Sequence, residues 1–227
     1  LIKFPAQQEH PEVCAIEAVY AACLRLCEIE TPDTHFFNLP NGLTAFASKR
    51  FDRQNGMRIP MQSLAAYTGA DYKVPGSLDY RNFLRATLMC TQDVRERMHA
   101  FKRAVFNVLF NNRDDHTKNF SFLMEKNGQW KLAPAYDVTF CEGPGGYHQM
   151  DIMGEALNIS RNDIHKLGTS EANLTTLGVD EIILAMQEIA LQFSQIAQRL
   201  YPNQIRESTL QMIQSRMQQN IDFLTAT

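Results

Sequence analysis

The chain lacks any apolar run near the length of about eighteen residues that a membrane-spanning helix needs, so a membrane span is not expected. It has no excess of positive charge. Twenty-two Lys and Arg against 25 Asp and Glu leave a formal net charge of −3, without the basic footprint that direct nucleic-acid binding favours. The basic residues that do cluster, Arg95, Arg97, Lys102 and Arg103, alternate with acids and read as a solvated helix face. Cysteine is sparse and forms no C-x-x-C pair. An odd set of Cys14, Cys23, Cys27, Cys90 and Cys141 suits reduced thiols in a cytosolic setting. Cys23 and Cys27, one helical turn apart with no histidine pattern beside them, read as packing residues of an Ala-rich helix and not as a zinc site. Internal repeats and low-complexity tracts are also missing. Gly143-Pro144-Gly145-Gly146 is not a phosphate-binding glycine loop, because no strand-to-helix transition with Lys-Ser/Thr follows it; it reads as a flexible loop.

What remains is 227 residues with 44% hydrophobic content, enough to bury a substantial core as one or two domains. The N-terminal part predicts a strand at Ile2–Phe4, a helix over Glu12–Cys27, and strands near Thr34–Asn38 and Leu43–Arg50 joined by Pro40-Asn41-Gly42. From Pro60 helices dominate: Pro60–Tyr67, Tyr80–Met89, Val94–Phe110, Ser160–Leu167, a short one opening at Ser170, and two long ones over Asp180–Leu200 and Gln204–Leu224. The Val94–Phe110 segment carries Met98, Phe101, Val105, Val108 and Leu109 near helical spacing. Between the helices, Phe120–Met124 and Gln129–Leu132 flank Lys126-Asn127-Gly128, a hairpin signal.

The chemistry concentrates in Asn112-Arg113-Asp114-Asp115-His116-Thr117-Lys118-Asn119-Phe120 and in Ala133-Pro134-Ala135-Tyr136-Asp137-Val138. An isolated Asp and Asn five apart is a weak signal, since both are common in turns. Here they follow an amphipathic helix and precede a hairpin that ends at a second Asp. That order supplies what phosphoryl transfer from ATP requires, namely positioning and charge neutralisation. Asn119 and Asp137 offer the hard oxygen ligands Mg²⁺ prefers. Asp114 is then free to face the attacking hydroxyl, with His116 and Lys118 nearby to balance phosphate charge.

These same residues resemble the HipA-like Ser/Thr kinases, toxin components of bacterial toxin–antitoxin systems. Asp114-Asp115-His116-Thr117-Lys118-Asn119-Phe120-Ser121 is similar to that family's D-x-H-x-K-N-x-S loop, and Leu132-Ala133-Pro134-Ala135-Tyr136-Asp137-Val138 to its L-x-P-x-Y-D-V. Lys49-Arg50-Phe51-Asp52-Arg53 resembles its E-R-F-D-R hinge, with Lys49 where Glu is frequent, and Ile2-Lys3-Phe4-Pro5 resembles its lysine strand. The resemblance covers residues 3 to 138; beyond them only the helical character is shared. It implies Asp114 as catalytic base and Asn119 and Asp137 as Mg²⁺ ligands. It further implies Lys3 on the ATP α/β-phosphates, Lys49, Arg50 and Phe51 at the adenine edge, and His116, Thr117, Lys118 and Tyr136 as nucleotide contacts. Asp115 stands beside Asp114, and only the five-residue spacing favours Asp114 as the base. For the acid that pairs with Lys3, Glu12 and Glu17 are both candidates; the helix start favours Glu12.

The expectation is an α+β, bilobal protein-kinase-like fold. Residues 1–52 would form the remainder of a small sheet-containing N-terminal lobe with the hinge, and residues 53–227 a mainly helical C-terminal lobe. The family's glycine-rich loop, with its autophosphorylation site, would precede Lys3. It is expected in residues not present here, or in a small separate chain that completes the lobe. The implied activity is ATP- and Mg²⁺-dependent phosphorylation of a protein Ser or Thr, with a translation component such as an aminoacyl-tRNA synthetase as target and a DNA-binding, HipB-like antitoxin as restraint. A small-molecule kinase would use the same Asp, Asn and Asp, and a catalytically inactive docking module would keep the fold without the chemistry.

Overall fold

In the computed structural model, which describes residues 1–225, the N-terminal part is a three-stranded antiparallel sheet backed by one helix. Strands β1 (Ile2–Lys3), β2 (Thr34–Asn38) and β3 (Thr44–Ser48) lie in the order β1-β3-β2, with Lys3 opposite Phe46 and Phe46 opposite Phe36. Because side chains alternate along a strand, Lys3, Phe46 and Phe36 share the face that meets helix α1 (Glu12–Leu26). Cys14, Ala18 and Ala21 of α1 are small, recur at helical spacing and pack on Phe46. The other side of α1, with Ala15, Ile16, Val19, Tyr20, Cys23 and Leu24, joins the main core. A helix apolar on two sides is one that is covered on two sides. The cysteines at 23 and 27 are buried packing residues, and burial pushes the Cys23 and Cys27 thiols well up, Cys27 to about 12.

Two short strands, β4 (Arg53–Gln54) and β5 (Met57–Arg58), form an exposed hairpin after the expected hinge. The helix predicted over Pro60–Tyr67 forms only in its second half, and its first half is a strand instead. β6 (Met61–Ser63) pairs with β7 (Ser121–Met124), which pairs with β8 (Trp130–Leu132), so the hairpin read from sequence gains a third strand. Only α2 (Leu64–Thr68) is helical there, started by the Ser63 hydroxyl accepting from the Ala66 N–H, a capping arrangement worth about 1 kcal/mol.

Helices α3 (Tyr80–Thr91) and α4 (Val94–Leu109) are capped by Asp79 and Asp93. α5 (Arg161–Glu171) begins with a reciprocal Ser160–Asp163 capping box and runs through the position where a separate helix at Ser170 is expected. The long helix read over Asp180–Leu200 is two, α6 (Thr176–Leu191) and α7 (Phe193–Leu200). No Gly or Pro marks the break at Gln192. The bend delivers Phe193 against Tyr20, ring centroids 5.5 Å apart. α8 (Glu207–Thr225) closes the described chain.

The core centres on α4, whose Phe101, Ala104, Val105, Phe106 and Leu109 are fully buried. Phe106 and Phe110 stack at 4.0 Å. Tyr20 of α1 sits edge-on to both and donates its hydroxyl to the Phe110 carbonyl, one of those that α4's end leaves without a helical partner. The N-terminal helix is thereby fixed to the point where the Asp- and Asn-bearing loop starts. Arg103 departs from the solvated face expected for it: it is buried and its Nη2 donates to the Ala133 carbonyl at 2.5 Å. Burial pulls that guanidinium down to about 10.

The start of α1 is tied to the far end of the chain. Glu12, 4% exposed, accepts from the Arg206 N–H at 2.9 Å, from Arg206 Nε and Nη2, and from the Thr209 hydroxyl. Burial works against the carboxylate, but these bonds win and hold it below its ordinary value. Glu12→Ala is expected to cost about 2–3 kcal/mol, lowering the melting midpoint by about 5–10 °C. The sign with pH follows from the depressed value. The contribution is present above the unfolded-state value of 4.5 and is lost as pH falls through the lower folded value, so wild type and variant converge in acid. Melting curves across that range check both points.

Candidate active site

The loop after α4 begins at Asn111, in left-handed backbone (φ 53°), and is stitched to the segment around Cys141. Asn111 Nδ2 and the Arg113 N–H donate to the Cys141 carbonyl, and the Cys141 N–H returns to Asn111. Beneath the loop runs a buried chain of hydrogen bonds. Asn112 Nδ2 donates to Asn107 Oδ1 (2.9 Å), Asn107 Nδ2 to the Tyr80 hydroxyl (2.9 Å), and Tyr80 to Asp115 Oδ2 (2.7 Å). His148 Nδ1 lies 2.8 Å from the same oxygen, and the Gln149 N–H donates to Oδ1 at 2.7 Å. Asp115 is fully buried, so its carboxylate is spent on holding the loop.

Asp114 turns the other way. Its side chain is 46% exposed, Oδ1 accepts from Gln149 Nε2 at 2.9 Å, and His116 Nε2 stands 3.8 Å off. Of the two adjacent acids it is the one an incoming hydroxyl can reach. Asn119 closes a short 3-10 turn, and its Nδ2 donates to the Asp114 carbonyl at 2.9 Å. That bond is what the five-residue spacing makes possible, and it engages the amide nitrogen and not Oδ1.

Asp137 arrives from the strand end after β8, also left-handed (φ 57°), a conformation Asp and Asn tolerate better than most. The preceding Tyr136 donates its hydroxyl to the Lys118 carbonyl (2.7 Å) and accepts from Ser121 (2.6 Å). Lys118 and Tyr136 immediately precede Asn119 and Asp137, so this bond ties together the two segments that carry them. Lys3 completes the group, its ammonium 2.6 Å from Glu17 Oε1 and 2.5 Å from Asp137 Oδ1. Burial lowers the Lys3 value, yet the Glu17 and Asp137 carboxylates outweigh it and leave it raised. Glu17 is raised too, because burial costs its carboxylate more than Lys3 returns. The two directions agree on a partly desolvated pair. Glu17, and not Glu12, is therefore the partner of Lys3.

Lys3, Glu17, Tyr136 and Asp137 line one cavity of about 260 Å³ together with Thr34, Phe46 and Ser48. Lys49, Arg50 and Phe51 do not line it. They border an adjoining, more open cleft of about 770 Å³ that shares Thr31 and Pro32 with the first. The Lys49 N–H is taken by the Asp33 carbonyl, and the Lys49 and Arg50 side chains are held by Asp33 and Asp52. The Phe51 ring lies 5.5 Å from that of Tyr136. His116 is half-buried, Thr117 is buried, and Lys118 is exposed with its ammonium 4.0 Å above the Tyr72 ring. Gly143, in the loop expected to be flexible, is tightly packed: with φ 68°, an added Cβ would fall 2.7 Å from Arg113 Cβ. Tyr72, Tyr80, His148 and Gln149 carried no local signal in the sequence, because each reaches the loop across more than 30 residues of chain.

The oxygen set fits a hard divalent ion. Asn119 Oδ1 and the Asp137 carboxylate would supply two protein ligands, the number Mg²⁺ usually takes when phosphates and waters complete its shell.

Residues 1–217 match the model of the HipA-like C-terminal domain. A Haemophilus influenzae protein whose name assigns it provisionally to the kinases is 24% identical over 155 residues, 59% of this chain and 43% of the relative. Among solved structures, the chain overlays on the HipA–HipB–operator DNA complex of Shewanella oneidensis MR-1 with a TM-score of 0.80 at 17% identity, covering 98% of this chain and 57% of that one. It overlays on the Helicobacter pylori proinflammatory kinase CtkA with a TM-score of 0.63 at 15% identity, covering 98% and 86%. These overlays establish the kinase-like fold. The chain spans about half the length of the Haemophilus and Shewanella proteins.

Proposed function

The chain belongs to the HipA-like C-terminal domain family, and from that premise we propose that it is the kinase part of a toxin–antitoxin toxin that moves the ATP γ-phosphate to a protein Ser or Thr. The observation that carries the reading is the Lys3 bridge. Three segments far apart in sequence put an ammonium, the Glu17 carboxylate and the Asp137 carboxylate within hydrogen-bond distance, beside a loop offering Asn119 and Asp114.

In this reading Mg²⁺, when bound by Asn119 and Asp137, neutralises phosphate charge. Lys3, kept protonated by its two acids, binds the α/β-phosphates and is held in place by Glu17. Arg50 and Phe51 meet the adenine edge through their backbone, and His116 and Lys118 face the triphosphate; Lys49 and Thr117 contribute no side chain. Asp114 Oδ2 orients the acceptor hydroxyl and takes its proton. The Shewanella relative is described in complex with HipB and operator DNA, which supports a HipB-like, DNA-binding antitoxin as partner here. The proposed acceptor is a component of translation such as an aminoacyl-tRNA synthetase, in the bacterial cytoplasm.

The test is transfer of labelled γ-phosphate from ATP and Mg²⁺ into proteins of a bacterial lysate by the full-length gene product. The expected result is a discrete labelled protein that yields phosphoserine or phosphothreonine on hydrolysis. Label found only in small molecules would replace the protein acceptor with a metabolite, and no label from a folded, ATP-binding protein would leave a docking module.

A further inference from the structure

We infer that Gln149 is a positioning residue for Asp114, fixing the carboxylate's rotation so that one oxygen is presented to the acceptor hydroxyl. The inference rests on the reading of Asp114 as the base. A half-exposed carboxylate rotates about its own bond, and a base that must meet a hydroxyl in one geometry loses rate to that freedom. Gln149 Nε2 donates to Asp114 Oδ1 at 2.9 Å, which leaves Oδ2 as the free oxygen.

Gln149 is itself held on both sides of its backbone. Its N–H donates to Asp115 Oδ1 at 2.7 Å, and Asp115 is immobilised by Tyr80 and His148. Its carbonyl accepts from the Gly76 N–H at 2.8 Å. The amide is thus preset before any substrate arrives. Gly76 belongs to the loop between α2 and α3, and that loop also brings Tyr72 to 5.8 Å from the His116 ring and under the Lys118 ammonium. One residue therefore joins the base, the buried acid beside it and a loop that touches two other members of the site. In the transfer step the acceptor O–H proton passes to Asp114 Oδ2 while the new O–P bond forms and the bond to the leaving ADP oxygen breaks. Gln149 contributes only geometry to that step.

The substitution that separates positioning from space-filling is Gln149→Glu, which keeps the length and replaces the donor by a repelling carboxylate. Measured as labelled γ-phosphate transfer into lysate protein by the full-length gene product, kcat is expected to fall about 100-fold in Gln149→Glu and about 10-fold in Gln149→Ala. KM for ATP is expected to stay within about twofold. In an Asp114→Asn background, where no base remains to be oriented, Gln149→Glu is expected to cost nothing further. A wild-type rate in Gln149→Glu overturns the inference, as does an equal loss with and without Asp114. A melting midpoint that drops in both single variants, with activity tracking it, overturns it in favour of a structural role. Wild type that transfers no phosphate to any acceptor is a different failure: it removes the kinase reading, and the role of Gln149 with it.

Discussion

Asp114→Asn is expected to reduce phosphoryl transfer about a thousandfold, within the range general base removal produces, while ATP·Mg²⁺ affinity changes by less than about twofold. The geometry makes the substitution clean. Asn is isosteric, and its Oδ1 can still accept from Gln149 Nε2. The bond from Asn119 runs to the Asp114 backbone carbonyl and not to its side chain, so the proposed metal ligand keeps its orientation. Asp115, the structural acid of the pair, is untouched. What disappears is the proton acceptor. Nucleotide titration beside the labelled-phosphate assay separates the two quantities, and a large loss of ATP affinity would mean that Asp114 contacts the metal and not the hydroxyl.

The contrast between Asp114 and Asp115 also marks the limit of reading this site from sequence. The D-x-x-x-x-N spacing and the later Asp137 are local patterns, set by one turn of loop and one hairpin, and they were legible. So was the α+β bilobal fold, because the amphipathic Val94–Phe110 segment and the β7–β8 hairpin announce themselves by periodicity and turn residues. The partner of Lys3 was not, because a helix start is a weaker cue than a packing face. Glu17 lies on the stripe of Cys14, Ala18 and Ala21, small residues that let the sheet approach; that stripe pointed to the Lys3 side, whereas Glu12 faces Arg206. Arg103 misled for a similar reason. On a helix with interspersed acids it resembles a surface cation, and only the approach of Ala133 from a separate segment supplies the acceptor that lets it be buried. The break at Gln192 and the strand at Met61–Ser63 likewise depend on tertiary contacts, with Phe193 seeking Tyr20 and β6 completing an edge of β7. Gln149 lies 35 positions from the carboxylate it holds, a separation at which no spacing rule operates.

Asp137→Asn is expected to abolish the dependence of ATP binding on Mg²⁺. In the presence of the ion, affinity falls about a hundredfold, as loss of one charged ligand from a site with two protein oxygens implies. Without the ion the direction reverses. Asp137 is a half-exposed carboxylate close to where a triphosphate must sit, and removing its charge relieves repulsion, so metal-free affinity stays the same or rises. Backbone strain does not confuse the result, because Asn accepts the left-handed conformation that Asp137 adopts. Nor is Lys3 set loose, since Glu17 still holds its ammonium at 2.6 Å. The quantity to measure is the ratio of ATP dissociation constants without and with Mg²⁺, large in wild type and near one in the variant. A ratio unchanged by Asp137→Asn would place the ion on other oxygens. An equal affinity loss in Asp114→Asn and Asp137→Asn would mean that the base and the ligand had been divided wrongly between them.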